Sequence, residues 1–469
     1  METLTGLDAT LLKLETPSSH MHMTGALVFD PATMPGGYSF EKVVKFIAGR
    51  LHLIPAFRRR LVEVPFGFGR PVWVDDPDFD LDYHVRRAAL PRPGGMGELS
   101  EFVADVAGRP LDLSKPLWEM WFVEGAEGGN VAMVAKMHHA TIDGVSGANL
   151  MTQLLDLEPP ADAEGDRADL AYEEWQPERM PSDIELVGRA LMGRARRRLR
   201  VLRASGTAIG AFARILTRRV SGAEGMAAPF SAPVTRFNQA ITPHRRIALA
   251  SVPLESVKKV KNACGATVND VVLSVCGGAL RRYLAGNGEL PDRSLVAAVP
   301  ISVRGDGDAA GNRISAMFVS LATDTPDPIQ RLRQVSEAAR NAKDEHATVG
   351  DNLFPELGEL GASQLLGAGA RLYSRFGLAN RHRPAMNAIV SNVPGPNFPL
   401  YFAGAKLLAL YPLGPIYDGV GLNITVLSYL DSIGFGFVTC AEVAPDVDAL
   451  AAAVTDSLQE LEKEANATP

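Results

Sequence analysis

The stretch MHHATIDGVSG (137–147) sets two adjacent histidines, His138 and His139, just ahead of Asp143-Gly144, in a chain of 469 residues with nine histidines. A neutral imidazole near pH 7 can take a proton from a hydroxyl, provided its other nitrogen is held by a partner. The pair is therefore a base with its support, a metal site, or two polar residues at the end of a strand. Neighbouring residues of a strand point to opposite faces, so at most one histidine faces a substrate easily. The same alternation makes the pair a poor ligand set for one ion, and no metal is expected. Asp143 either accepts from His139 or pairs with an arginine and braces the loop.

These side chains need a frame. VAMVAKMHH (131–139) is rich in Val and Met and closes on turn residues, so it reads as a strand that delivers the histidines to a loop. Asp143-Gly144 is a turn dipeptide. SGANLMTQLLDL (146–157) then starts a helix, with Ser146 as its cap and Leu150, Met151, Leu154 and Leu155 on one face. HMTGALVFD (22–30) and LWEMWFVEG (117–125) read as strands, EKVVKFIAGRL (41–51) and ELSEFVADVAG (98–108) as helices. His20 and His22 share a strand face and read as structural.

From about Ile247 the alternation returns. SLVAAVPISVR (294–304), RISAMFVSLAT (313–323), NAIVSNVPG (387–395), GLNITVLSYL (421–430) and SIGFGFVTC (432–440) read as strands. TVNDVVLSVCGGALRRYLAG (267–286), IQRLRQVSEAARNAK (329–343) and DVDALAAAVTDSLQELEKEA (446–465) read as helices. Between the halves, 158–183 holds nine acids against Arg167 and Arg179, with four prolines, and reads as a linker. Residues 186–219 then carry ten arginines and no acid, interleaved with Leu, Ile and Phe. One or two basic amphipathic helices there either lie on a membrane surface or bridge two domains. The expected division is an N-terminal α/β domain at 1–157, a connector at 158–246 and a C-terminal α/β domain at 247–469.

Composition narrows the class. Apolar residues at 46% and charged residues at 22% are ordinary for a globular chain, and a net charge of −7 argues against a nucleic-acid partner. The three cysteines, Cys264, Cys276 and Cys440, form no CxxC, so a reducing, cytoplasmic setting is expected. No run of 18 apolar residues occurs, and METLTGLDATLLKLE carries acids too early for a signal peptide. Contact with lipid is then expected to be peripheral.

His138-His139-Ala140-Thr141-Ile142-Asp143-Gly144 resembles the HHxxxDG signature of the acyl-CoA-dependent acyltransferase superfamily. Chloramphenicol acetyltransferases, condensation domains of peptide synthetases and plant acyltransferases share it. The whole chain is similar to the bacterial wax ester synthase/diacylglycerol acyltransferase family, above all its mycobacterial and actinobacterial members. LTGLDATLLKLETPSSHMHMTG (4–25) matches the family's opening, with Gly6 where a proline is common. PAFRRRL (55–61), PVWVDDPDFDLDYHVR (71–86), PLWE (116–119), TVNDVVL (267–273), PISVR (300–304), GNRIS (311–315), SNVPGP (391–396) and GLNITVLSY (421–429) follow the family pattern in order.

The resemblance implies two chloramphenicol-acetyltransferase-like α/β domains around a central tunnel. It implies transfer of a long-chain acyl group from acyl-CoA, a substrate, to the hydroxyl of diacylglycerol, with no cofactor. Fatty alcohols as acceptors, giving wax esters, and a polyketide-associated lipid acyltransferase are the alternatives. A lipid-droplet coat with a degenerate acyltransferase fold is the non-enzyme reading, and the intact HHxxxDG argues against it. In the superfamily the second histidine is the base, here His139. His138 would orient the loop, Asp143 would act structurally or electrostatically, and Gly144 would shape the turn. No GxSxG elbow is present, so no acyl-enzyme is expected. Asn269-Asp270 match the family's ND motif, read here as a helix start capped by Thr267 that walls the site. Arg304 is a candidate partner for Asp143 or for CoA phosphate. Asn423, with Thr425 and Ser428, is a candidate oxyanion donor. Trp118 and Trp121 are core first and tunnel lining second. SNVPGP would be the loop that crosses over to complete the tunnel. The expected location is the cytoplasm, peripherally on the inner leaflet of the membrane or on lipid droplets.

Overall fold

The computed structural model describes residues 1–142, 147–159, 176–192, 231–302, 314–349 and 363–467. The N-terminal half runs β1 (Glu2–Thr3), α1 (Gly6–Leu14), β2 (His22–Asp30), α2 (Phe40–Arg50), β3 (Arg59–Val62), β4 (Val72–Asp75), α3 (Leu81–His84), β5 (Val85–Ala89), α4 (Met96–Gly108), β6 (Trp118–Ala126), β7 (Asn130–His138) and α5 (Gly147–Leu154). A helix at 183–192, α6, follows. The C-terminal half runs β8 (Arg245–Pro253), α7 (Leu254–Cys264), α8 (Val268–Gly286), β9 (Val296–Ser302), β10 (Ile314–Ser320), α9 (Pro328–Val349), α10 (Ser363–Arg375), β11 (Ala388–Val393), β12 (Tyr401–Phe402), β13 (Ala405–Leu413), β14 (Leu422–Tyr429), β15 (Ser432–Cys440) and α11 (Val447–Ala467).

Local chemistry explains the helix starts. Thr5 Oγ1 accepts the Asp8 N–H ahead of α1, and Ser39 Oγ accepts the Lys42 N–H ahead of α2. Thr267 and Asp270 form a reciprocal capping box at the start of α8, at 3.1 and 2.9 Å.

Two six-stranded mixed sheets result. The first has the order β12-β13-β2-β7-β6-β5, the second β10-β9-β11-β14-β15-β8, and β1-β4-β3 form a small third sheet. The first sheet corrects the expected domain division. β12 and β13, from the C-terminal half, pair onto the N-terminal half, with β13 antiparallel to β2. Residues 247–469 are therefore not a separate unit, and position 247 falls inside β8. Residues 160–175 of the acidic linker and 193–219 of the basic run lie outside the described residues.

One face of the first sheet, through Ala132 and Val134 of β7, packs on α4 and joins a core that continues through β8, α8, β14 and α11. The other face, through Leu27, Phe29, Trp118, Phe122 and Met133, builds a second core with α2 and β13.

Candidate active site

β7 ends at His138, and its backbone is held from both sides. The His138 N–H donates to Leu117 O and the His139 N–H donates to Met21 O, both at 3.0 Å. Met21 is buried with φ 35°, a left-handed conformation uncommon outside glycine, at the carbonyl that receives the His139 amide.

The side chain of His138 is fully buried. Its Nδ1 accepts the Ala140 N–H at 3.0 Å. In the neutral ring the proton therefore sits on Nε2. That nitrogen lies 3.3 Å from Glu15 Oε1. Glu15 is the residue that closes α1, and its same oxygen is 3.7 Å from His22 Nε2. His22 and His138 face each other across the β2–β7 pair, with ring centroids 5.9 Å apart at 76°. Neither nitrogen of His138 then has a lone pair free to take a proton. His139 sits differently. It is half-buried and opens the 3-10 turn His139–Ile142.

Burial and neighbouring cations disfavour a charged imidazole on His22 and His20. Burial, with the Lys136 ammonium next, holds the pKa of His22 well below the ordinary histidine value. His20 stacks on His22 at 5.5 Å, and burial together with Arg245 lowers its pKa too. Lys136, on the same face of β7 as His138, is buried with its Nζ 2.6 Å from the Glu119 carboxylate. It also donates to Val106 O at 2.8 Å and Arg109 O at 3.0 Å, closing the C-terminus of α4. Arg245 of β8 donates to Ser18 O, so the C-terminal half clasps the chain just ahead of His20. A cavity of about 20 Å³ lies there, lined by His20, His22, Thr24, Arg245, Leu413 and Ile416. Its size suits a water molecule and not an acyl chain.

The remaining candidates separate. Asp143, Gly144 and Arg304, and the expected cap Ser146, lie outside the described residues. Asn269 accepts from Asn392 Nδ2 at 3.2 Å, which ties the first turn of α8 to the SNVPGP segment. Asp270 is engaged in the capping box. Asn423 is buried; its Nδ2 donates to Pro415 O at 3.0 Å and its Oδ1 accepts from Thr425 at 2.7 Å. Ser428 Oγ accepts the Gly395 N–H at 3.1 Å. Asn423, Thr425 and Ser428 thus have structural partners within the C-terminal half. Trp118 lies in the core, 1% exposed. It is stacked between Phe57 at 4.3 Å and His84 at 4.5 Å, and its Nε1 donates to Phe57 O. Sequence reasoning missed Glu15, Lys136 and Arg245. Glu15 had a signal, because it ends the apolar opening helix within a segment that carries the family likeness.

Comparison with known proteins agrees along the whole chain. The wax ester synthase/diacylglycerol acyltransferase catalytic domain matches residues 4–272, and the family's C-terminal domain matches residues 310–462. A Mycobacterium tuberculosis protein named for diacylglycerol O-acyltransferase activity is 40% identical over 466 residues, covering 98% of this chain and 90% of the relative. A second from the same organism is 36% identical over 467 residues, covering 99% of each. The solved wax ester synthase/diacylglycerol acyltransferase of Marinobacter aquaeolei VT8 superposes with a TM-score of 0.68 at 28% identity, covering 99% of this chain and 100% of that one. The first condensation domain of the CDA synthetase, at 16% identity and a TM-score of 0.53, shares the fold; the match covers 99% of this chain and 96% of that one.

Proposed function

The chain belongs to the wax ester synthase/diacylglycerol acyltransferase family, and from that premise we propose that it moves a long-chain acyl group from acyl-CoA to the hydroxyl of diacylglycerol, giving triacylglycerol and CoA. It is an acyltransferase by family. The observation that supports the finer reading is the unequal placement of the two histidines. His138 is fully buried and its Nδ1 accepts from the Ala140 amide, so the neutral ring carries its proton on Nε2, 3.3 Å from Glu15. The role of base then falls to His139. Its imidazole takes the proton of the acceptor hydroxyl, and the oxygen attacks the thioester carbonyl. The tetrahedral adduct expels CoA thiolate, and the imidazolium returns the proton to the sulfur. Such base assistance is worth roughly 10²–10⁴-fold. No cofactor enters this sequence.

The wax ester synthase named in the family and in the Marinobacter relative supports a second acceptor, a long-chain alcohol. Lipid acceptors place the protein at a membrane or droplet surface on the cytoplasmic side. The test is turnover of labelled palmitoyl-CoA with diacylglycerol or with hexadecanol. His139→Ala is expected to lose activity by roughly 10²–10⁴-fold, and more than His138→Gln. Full turnover by His139→Ala would overturn the mechanism. Faster use of hexadecanol would reassign the acceptor.

A further inference from the structure

α6 is apolar on two opposite sides. Leu186 and Ala190 face the body, where they pack with Val64, Val72 and Val74. At 100° per residue, Ile184, Gly188, Leu191 and Met192 fall on the side away from Leu186. Ile184 is 85% exposed, Leu191 53% and Met192 64%. A soluble helix normally puts charge on that side. Beside it stands the loop between β3 and β4. A Cβ at Gly69 would lie 2.8 Å from Ala190 Cβ, so loop and helix touch. The loop tip presents Phe66, 89% exposed, with Phe68 at 5.7 Å between ring centroids. Phe66 has φ 58°, a left-handed conformation unfavourable for a bulky residue. The backbone is bent, against local preference, so that an aromatic ring points into solvent.

Charge decides what covers this surface. Arg189 is exposed on α6, and the sequence after Met192 carries nine more arginines by 219 with no acid before Glu224. Of the two acids on α6, Glu185 is paired with Arg179 at 2.6 Å and Asp183 stands at the first residue, away from the arginine end. Aromatic and aliphatic side chains on a helix that the sequence continues into a dense arginine run match an acyl boundary beneath anionic headgroups. We propose that the Phe66–Phe68 tip and the outer side of α6 form one surface that docks on an anionic bilayer, which would bring the lipid acceptor to the enzyme. The proposal rests on the lipid-acceptor reading above and names the surface that serves it.

The test is flotation of the full chain with vesicles of phosphatidylcholine alone or with phosphatidylglycerol. Binding is expected with the anionic vesicles, and Phe66→Ser with Phe68→Ser is expected to lower it by about tenfold or more, as loss of a buried aromatic contact predicts. Leu191→Ser with Met192→Ser is expected to act in the same direction. Leu372→Ser with Phe376→Ser, at a separate exposed apolar pair on and beside α10, is expected to leave binding unchanged. Phe66→Trp keeps binding and shifts its fluorescence to the blue on anionic vesicles. Full binding by the Phe66/Phe68 variant would overturn the proposal. So would an equal loss in the α10 variant, or a change from dimer to monomer with flotation intact, which would assign the surface to a second copy. Turnover of detergent-dispersed substrates, measured in parallel, reads the chemistry separately from the docking.

Discussion

His138 and His139 are one peptide bond apart, yet His138 is fully buried and His139 half-buried at the start of a 3-10 turn. The charged residue beside the buried ring is Glu15. It stands at the C-terminal end of α1, 3.3 Å from His138 Nε2, and fixes that ring while the Ala140 amide fixes the other nitrogen. Removing the carboxylate frees His138 to rotate and loosens the turn on which His139 begins. The Glu15 carboxylate stands within ion-pair distance of both His138 and His22, so Glu15→Ala should lower kcat by roughly 10-fold with KM little changed. Glu15→Gln should keep most of the rate, because it fills the same space and keeps an oxygen toward His138 Nε2. Steady-state kinetics on the three proteins decides it. Wild-type kcat in Glu15→Ala, or equal losses in both variants with raised KM, would reduce Glu15 to an ordinary structural residue.

At the scale of elements, β15 explains why a strand can read SIGFGFVTC. Phe435 and Phe437 lie on one face and stack at 6.3 Å in the core. Gly434 and Gly436 lie on the other, where β13 crosses. A Cβ at Gly434 would sit 2.3 Å from Leu410 O, and one at Gly436 would sit 2.0 Å from Pro412 O. The glycines let the two sheets touch backbone to backbone. Overpacking of this kind costs about 1–3 kcal/mol, so Gly436→Ala should lower the urea midpoint clearly. Gly49→Ala, on α2 with nothing near its Cβ, should be neutral or stabilising by about 0.5–1 kcal/mol. Equal midpoints in the two variants would contradict the close approach. β2 was legible from its alternation, and β7, β14 and β15 as short apolar runs, since they are buried on both faces along most of their length. β13, which crosses β15, was not. Its register shifts at Leu407–Ala409, and Pro412 interrupts the ladder, so the two-residue period is lost where sequence reading depends on it. Glu15 escaped notice for a related reason: its role depends on where α1 stops, and helix ends are the least legible positions in a sequence.

At the scale of the molecule, periodicity names strands but does not say which sheet a strand joins. The chain divides by composition at the connector, yet β12 and β13 return to the first sheet between β11 and β14 of the second. In a fragment of residues 1–246, β2 would keep β7 on one side and offer an open edge from Thr24 to Asp30 on the other. Unpaired backbone along such an edge invites association with another chain. The same cut would expose Ala132, Val134 and the face of α4 that joins the shared core with β8, α8 and α11. The fragment carries HHxxxDG and most of the family's catalytic-domain match, but it lacks the strand that closes its sheet. It should therefore be insoluble or, if soluble, show no cooperative melt by circular dichroism. The complete chain should unfold in a single calorimetric transition, because β13 and the shared core couple the two sheets. A soluble 1–246 fragment with its own sharp transition, or two separated transitions in the complete chain, would show that the halves are stable without the crossing strand.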